Sequence, residues 1–379
     1  MTNQNTVLFL GSGATTGSGI TKNKQALPTD ANFFTSLEGL IKNWEKSYPA
    51  LAQYRELKKS KVRNGLYPTW NDLFIFRGMA QAGVIKENEE VKDNFYDLSN
   101  HDWPSKYKWR KKHYHHQFQI MKSWLPFEYY LAELAIWDLR VLVKDIFFIK
   151  NFKKKINNNF WGKLKKVYTI SAVVNLNYDT TFDDSFKNVF YYPGEPRPKN
   201  NKNPLIRPHG SLKWTSLSLY SKTQNNWEGW TDNYIDTPLK KIGYRELNND
   251  PTKLSFKQPL IVTPAIFKEE IVGNSSFPGL TNPILRLQWN HLERALRNSN
   301  HWIIIGFSFA SGDEHLKYLL KRFSEKKKVC VSIYDKDWRI LSLAYELNLS
   351  FCTHEIGENE SIEEFCKVIN LNKCKNRNN

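Results

Sequence analysis

Residues 302–334, WIIIGFSFASGDEHLKYLLKRFSEKKKVCVSIY, decide the fold. Trp302–Gly306 is an apolar run of strand length, the composition of a strand buried on both faces. Asp313–Phe323 reads as a helix and Val329–Tyr334 as a second strand. The same alternation continues on either side. Upstream, Pro259–Val262 reads as a strand. Asn282–Leu296 follows as a helix, with Thr281 or Asn282 as its cap and Pro283 in its first turn. Downstream come a helix over Trp338–Leu347, a short strand near Ser350–Thr353 and a helix near Ile362–Ile369, before a polar tail at Asn372–Asn379. Strands spaced by helices of this length predict a parallel sheet with helices on both faces.

Two earlier segments extend the sheet. Val7–Leu10 is a short apolar run ending in Gly11-Ser12-Gly13, a buried first strand entering a glycine loop. Residues 14–32 carry loop chemistry, and a helical pattern resumes at Phe33, Leu37, Leu40, Ile41 and Trp44. Ile170, Ala172, Val173, Val174 and Leu176 form another apolar run, closed by Asn177-Tyr178-Asp179. Between them, 50–165 is helical in character, with helices predicted at Thr69–Val84 and Pro126–Ile149 and a basic, aromatic stretch at Lys106–His116. The expected division is an α/β Rossmann-like domain over 1–49 and 166–379, with 50–165 as a helical insert. Residues 193–256, rich in Asn, Pro and Lys, read as irregular around Pro208-His209-Gly210.

The bulk composition bounds the function. Of 379 residues, 40% are hydrophobic and 25% charged, which excludes wholesale disorder and supports a sizeable core. No apolar run reaches the ~18 residues of a membrane span. The first residues lack the basic and apolar regions of a signal peptide, so none is expected. The four cysteines begin at Cys330 and form no CxxC pair. That argues against a zinc ribbon or disulfide framework and for a cytoplasmic protein with reduced thiols. A net charge of +17 favours anionic partners, or reflects a Lys- and Asn-rich composition. P-loop, zincin and α/β-hydrolase signatures are missing from the sequence.

The candidate chemistry lies at the ends of the apolar runs. Glycines in Gly11–Gly17 let backbone approach a pyrophosphate and present N–H groups to it; the other reading is a tight turn. The third glycine comes one position late for a dinucleotide fingerprint. Loop-like residues follow instead of a helix, with Asp30 inside them, which disfavours hydride transfer. Asn177 both donates and accepts, so it can position a water and a ribose hydroxyl together. An Asx-turn that starts the next helix explains Asn177-Tyr178-Asp179 equally well. His209, between Pro and Gly, suits proton transfer near neutrality or is a merely exposed loop histidine. Gly306–Asp313 offers small residues, hydroxyls and a helix start for sugar or phosphate, or plain capping by Ser311 or Asp313. His113, His115 and His116 lack acidic or Cys partners and read as a metal site or, better, a solvated basic face.

In their order along the chain these motifs resemble the sirtuin fold, especially the bacterial sirtuin-like NAD hydrolases of anti-phage defence. The opening glycine loop of that family is similar to Gly11-Ser12-Gly13-Ala14, its Asn-Ile-Asp step to Asn177-Tyr178-Asp179, its catalytic His-Gly to His209-Gly210, and its Gly-Thr-Ser strand end to Gly306-Phe307-Ser308. The resemblance covers 1–45 and 168–355. It implies Asn177 and His209 as catalytic residues. It implies NAD+ contacts from Gly11, Ser12, Gly13, Ala14, Thr15, Asp179, Gly306 and Ser308, and from Asp335 near the adenosine half. No metal is implied. The implied reaction is hydrolysis of NAD+ to nicotinamide and ADP-ribose, which depletes the cell of NAD on infection. Protein-deacylating sirtuins carry a four-cysteine ribbon after the catalytic His, whereas 211–300 here contains no Cys, and Leu176 replaces their usual Gln. The alternatives are a protein deacylase, a non-enzymatic NAD or ADP-ribose sensor, and a nucleic-acid-binding component using Lys106–His116. The resemblance further implies a homo-oligomer and a partner: a HerA-type ATPase foremost, or a prokaryotic Argonaute.

Overall fold

A computed structural model describes residues 5–12, 14, 21–22, 25–26, 33–61, 101–105, 127–147, 159–186, 189–194, 202–216, 258–261, 283–307, 313–326, 329–334 and 350–353. The helices expected at 69–84, 338–347 and 362–369, the 106–116 stretch with its histidines, and the 372–379 tail lie outside the described residues, as do Asp30 and Ser311.

The core is a seven-stranded sheet. Its strands are β1 (Asn5–Leu10), β4 (Thr169–Asn175), β5 (Phe190–Tyr191), β6 (Asn203–Ile206), β9 (His301–Ile305), β10 (Cys330–Tyr334) and β11 (Ser350–Thr353). Their spatial order is β11-β10-β9-β1-β4-β6-β5, and every neighbouring pair is parallel. The remaining described elements are the ribbon β2 (Thr21–Lys22) and β3 (Gln25–Ala26), the ribbon β7 (Gly210–Ser216) and β8 (Gln258–Ile261), and eight helices. The helices are α1 (Phe33–Leu40), α2 (Trp44–Ser47), α3 (Pro49–Lys61), α4 (Phe127–Phe147), α5 (Asn159–Val167), α6 (Thr181–Ser185), α7 (Pro283–Asn298) and α8 (Glu314–Glu325).

Strand alternation divides the interior into two cores. Val7 and Phe9 of β1, Ala172 and Val174 of β4, and Trp302 and Ile304 of β9 face α7 and α8 through Trp289, Leu292, Leu296, Leu316, Leu319 and Phe323. Leu8, Leu10, Val173, Ile303 and Ile305 face the other way, onto Trp161 and Leu164 of α5 and Phe182 of α6. Because successive side chains of a strand point to opposite faces, two apolar layers require near-continuous apolar strands. The α/β class with helices on both faces is therefore the observed one.

The irregular reading of 193–256 fails at two places, β6 and β7. Asn203–Ile206 is a sheet strand, pairing Leu205 with Val173 and Ile206 with Val174. Pro204 sits where it pairs with Tyr191 of the two-residue β5. A Pro removes one ladder donor, so composition argued against a strand that burial of Leu205 and Ile206 nevertheless secures. The strand expected at Pro259–Val262 exists as Gln258–Ile261. It pairs antiparallel with β7 in a separate ribbon rather than joining the parallel sheet.

In the segment expected as an insert, α3 packs on α4. Asp138 of α4, fully buried, accepts from the Ala50 and Leu51 amides at 3.1 and 3.2 Å, which occupies N–H groups at the start of α3 that have no intrahelical partner. Tyr48 donates its hydroxyl to Asp145 one helical stretch further along α4.

Candidate active site

The sheet brings the C-terminal ends of β1, β4, β6 and β9 side by side. Register aligns Leu10 with Asn175 on one side and with Ile305 on the other. β1 is flanked by β4, the next strand of this sheet in the chain, on one side and by the later β9 on the other, so this is the switch point where open α/β sheets bind ligands.

Gly11 closes β1 against β9. Its amide donates to Ile305 O at 2.9 Å. A Cβ placed on it would stand 2.2 Å from Gly306 O and 2.5 Å from Phe307 Cα, so only glycine fits. The close approach at Gly11 is thus to a neighbouring strand. The Ala14 amide donates to Gly11 O at 3.0 Å. The Gly11 and Ala14 amides are thus committed inside the protein, and Ser12 between them is exposed. Gly13, Thr15, Ser308 and Asp335 lie outside the described residues.

Asn177 follows β4 and is 7% exposed. Its Nδ2 donates to Gly11 O at 2.8 Å, and its own amide donates to Asn175 Oδ1 at 3.1 Å. The side chain therefore bridges the ends of β4 and β1. Asp179 is an Asx-turn residue: its Oδ1 accepts from the Thr181 amide at 2.9 Å, at the start of α6. Burial lifts its carboxyl above the ordinary carboxylate value, against the Thr181 bonds and the positive charge of Arg207.

His209 is buried, 5% exposed, which settles against the loop-exposed reading. Gly210 after it adopts φ 78°, a left-handed conformation that favours glycine and turns the chain back into β7. His209 Nδ1 lies 3.2 Å from the Leu176 carbonyl, and Nε2 lies 3.2 Å from Asp313 Oδ1. Leu176 O can only accept, so a proton on Nδ1 donates to it; an ionised Asp313 carboxylate likewise only accepts, so a proton on Nε2 is shared with Oδ1. The Tyr178 ring lies 6.5 Å from the imidazole, centroid to centroid.

The site also contains residues that motif reading passed over. Arg207, with no exposed surface, ion-pairs with Asp183 at 2.8 Å. Asp183 also accepts from the Tyr192 hydroxyl at 2.6 Å and from Asn175 Nδ2 at 3.5 Å. Burial opposes the Arg207 charge, but Asp183 and Tyr192 more than offset it and the guanidinium stays protonated. Burial, then the Asp183 charge, pushes the Tyr192 phenol well above its ordinary value. Asp313, weighed from sequence only as a cap for α8, makes no capping bond with its side chain. The one available signal was Arg207 itself: a permanent charge straight after the apolar pair Leu205-Ile206 needs a buried partner.

Among the described residues no group of His, Cys, Asp and Glu could hold a metal ion. Nor is any described helix long and apolar enough to cross a membrane. No protein-family model matches the sequence. No curated protein matches it either. Two similar solved structures are sirtuins. One, from a study of the mechanism and regulation of Sir2 enzymes, is 10% identical, with 98% of this chain and 93% of that chain covered and a TM-score of 0.37. Another, from a study of sirtuin substrate affinity, is 13% identical, with 96% and 92% covered and a TM-score of 0.34.

Proposed function

We propose that the protein is an NAD+ glycohydrolase that cleaves the nicotinamide–ribose bond. The observation that carries this reading is the pairing of Asn177 and His209 at the switch point. An amide that can orient a water and an imidazole that can take a proton come from distant segments and meet through the Leu176 carbonyl, 33 residues from His209. The motif resemblance adds the substrate.

In this reading the C1′–N bond of NAD+ breaks and its electron pair leaves with neutral nicotinamide. The ribose carbon, cationic in the transition state, takes a water oxygen directed by Asn177. The water proton passes to the His209–Asp313 pair, shared between Nε2 and Oδ1, and then to solvent, so the products are nicotinamide, ADP-ribose and a proton. Asp313 stabilises the imidazolium formed at that step, because its carboxylate already faces Nε2. Ser12, Gly13 and Thr15 hold the pyrophosphate, and Ser308 and Asp335 the adenosine half. The cysteine-free 211–300 segment and Leu176 count against peptide deacylation.

The biological role we propose is anti-phage defence by NAD depletion in the cytoplasm. Its regulation would be assembly into a homo-oligomer and engagement of a partner such as a HerA-type ATPase or a prokaryotic Argonaute. The test is chromatography of NAD+ incubated with purified protein, with and without the neighbouring gene products. Nicotinamide and ADP-ribose in equal amounts support the reading. Deacetylation of an acetyl-lysine peptide, or tight NAD+ binding with no turnover under every condition, overturns it.

A further inference from the structure

We infer that Arg207, paired with Asp183, is a positioning residue that locks the Asn177 turn onto the His209 loop. The inference rests on the glycohydrolase reading for its kinetic test and on geometry alone for its structural one.

Four consecutive carbonyls of the turn after β4 accept from one short segment. Leu176 O lies 3.2 Å from His209 Nδ1. Asn177 O accepts from Arg207 Nη1 at 2.7 Å, and Asp179 O from Arg207 Nη2 at 2.7 Å. Tyr178 O accepts from the Leu212 amide at 3.4 Å. Residues 207–212 thus grip the backbone that carries Asn177 at every step. Arg207 makes the two shortest of these bonds, and its Nη1 also reaches Gly210 O at 3.5 Å.

The fork is held from behind. Asp183 Oδ1 accepts from Nη2 at 2.8 Å, and the Tyr192 hydroxyl donates to Asp183 Oδ2. The Arg207 amide donates to Gln288 Oε1 at 3.0 Å, and Gln288 Nε2 donates to Pro193 O at 3.0 Å, so α7 fixes the backbone of the same residue. A planar guanidinium can serve two carbonyls and a carboxylate at once; an ammonium cannot match that geometry. A buried ion pair is also a poor source of net stability beside an apolar pair of similar volume, whereas its directed bonds fix one arrangement. Here the arrangement fixed is the separation of the water-orienting amide from the imidazole.

The experiment compares wild type, Arg207→Lys, the milder Tyr192→Phe, and Leu164→Ala. Leu164, fully buried on α5, serves as a destabilised control whose side chain takes part in none of the clamp's hydrogen bonds. Arg207→Lys is expected to lower kcat for NAD+ cleavage at least ~30-fold, with KM and the Kd for ADP-ribose within about threefold of wild type. Tyr192→Phe is expected to do the same to a smaller extent and serves alone if the lysine variant does not fold. Leu164→Ala is expected to keep kcat. Hydrogen exchange reads the clamp without any turnover: the Leu212 and Thr181 amides are expected to exchange at least ~10-fold faster in Arg207→Lys, with β9 still protected. Wild-type kcat and exchange in both clamp variants, or a kcat loss matched by Leu164→Ala, overturns the inference. If the wild type cleaves no NAD+, the functional reading fails, and the exchange at Leu212 and Thr181 still decides the clamp.

Discussion

At the scale of single residues, His209, Asn177, Gly11 and Asp179 make separable claims. His209→Ala and Asn177→Ala are each expected to lower NAD+ cleavage by ~10²–10⁴, as removal of a general base does, with the fold intact by circular dichroism. Full activity in His209→Ala would remove that residue from the chemistry. Gly11→Ala tests packing instead. Of the three atoms the new Cβ would meet, two belong to the backbone of 306–307 and the third is Phe307 Cβ, none of which can swing aside, so a loss of ~1–3 kcal/mol is expected by urea denaturation. Asp179 supplies a pH effect. Its folded-state carboxyl titrates above its unfolded value of 3.8 because burial disfavours the anion. The folded state therefore binds more protons than the unfolded state between those two values, and Asp179 lowers stability as pH rises through that window. Asp179→Asn keeps an acceptor for the Thr181 amide and removes the charge. Its stability relative to wild type is expected to increase as pH rises from about 4 and then level off; a difference independent of pH would contradict the assignment.

At the scale of elements, the join between α3 and α4 is the most exposed to a single change. The Asp138 carboxylate accepts from the first amides of α3, and it reaches them from another helix. Asp138→Ala is expected to cost ~0.5–2 kcal/mol, the range for losing a helix-starting acceptor, while Asp138→Asn retains most of it. Denaturant midpoints of the two variants check this, and equal midpoints would show that the acceptor contributes nothing. In the parallel sheet, β6 explains why a four-residue strand matters. It delivers Arg207, Pro208 and His209 beside the end of β4, so the irregular-looking Asn203-Pro204 start of the strand controls where the imidazole arrives.

At the scale of the whole molecule, an enzyme that drains NAD must be restrained in its resting form. The 14% aromatic content and the basic, aromatic Lys106–His116 stretch suit protein contacts, and the site is built of strand-end turns that neighbours can open or close. The proposal is that activity follows assembly. Sedimentation combined with NAD+ cleavage across protein concentration is expected to show a rate per chain that rises with oligomerisation or with an added partner. A fully active monomer whose rate per chain is constant, and which ignores any partner, would refute it. The +17 net charge gives a separate check: binding of DNA that weakens steeply with added salt would support the nucleic-acid alternative.

The sequence alone determined the strands β1, β4, β9 and β10. A strand covered on both faces must be apolar at nearly every position, and runs such as Val7–Leu10 and Trp302–Ile305 have no other common use. It also determined the order of the strand-end motifs, and so brought Gly11, Asn177, His209 and Gly306 to attention. What it could not determine was whom those residues touch. Only tertiary packing showed that Gly11 is glycine because Gly306 lies against it. Packing also turned Asp313 toward His209 instead of capping α8, made Gln258–Ile261 the antiparallel partner of β7, and set a buried Arg207 against Asp183, 24 residues away. The physical reason is range. Burial on two faces is written into each strand's own composition, whereas a hydrogen bond or ion pair depends on where a distant segment is placed, and local sequence carries no record of that.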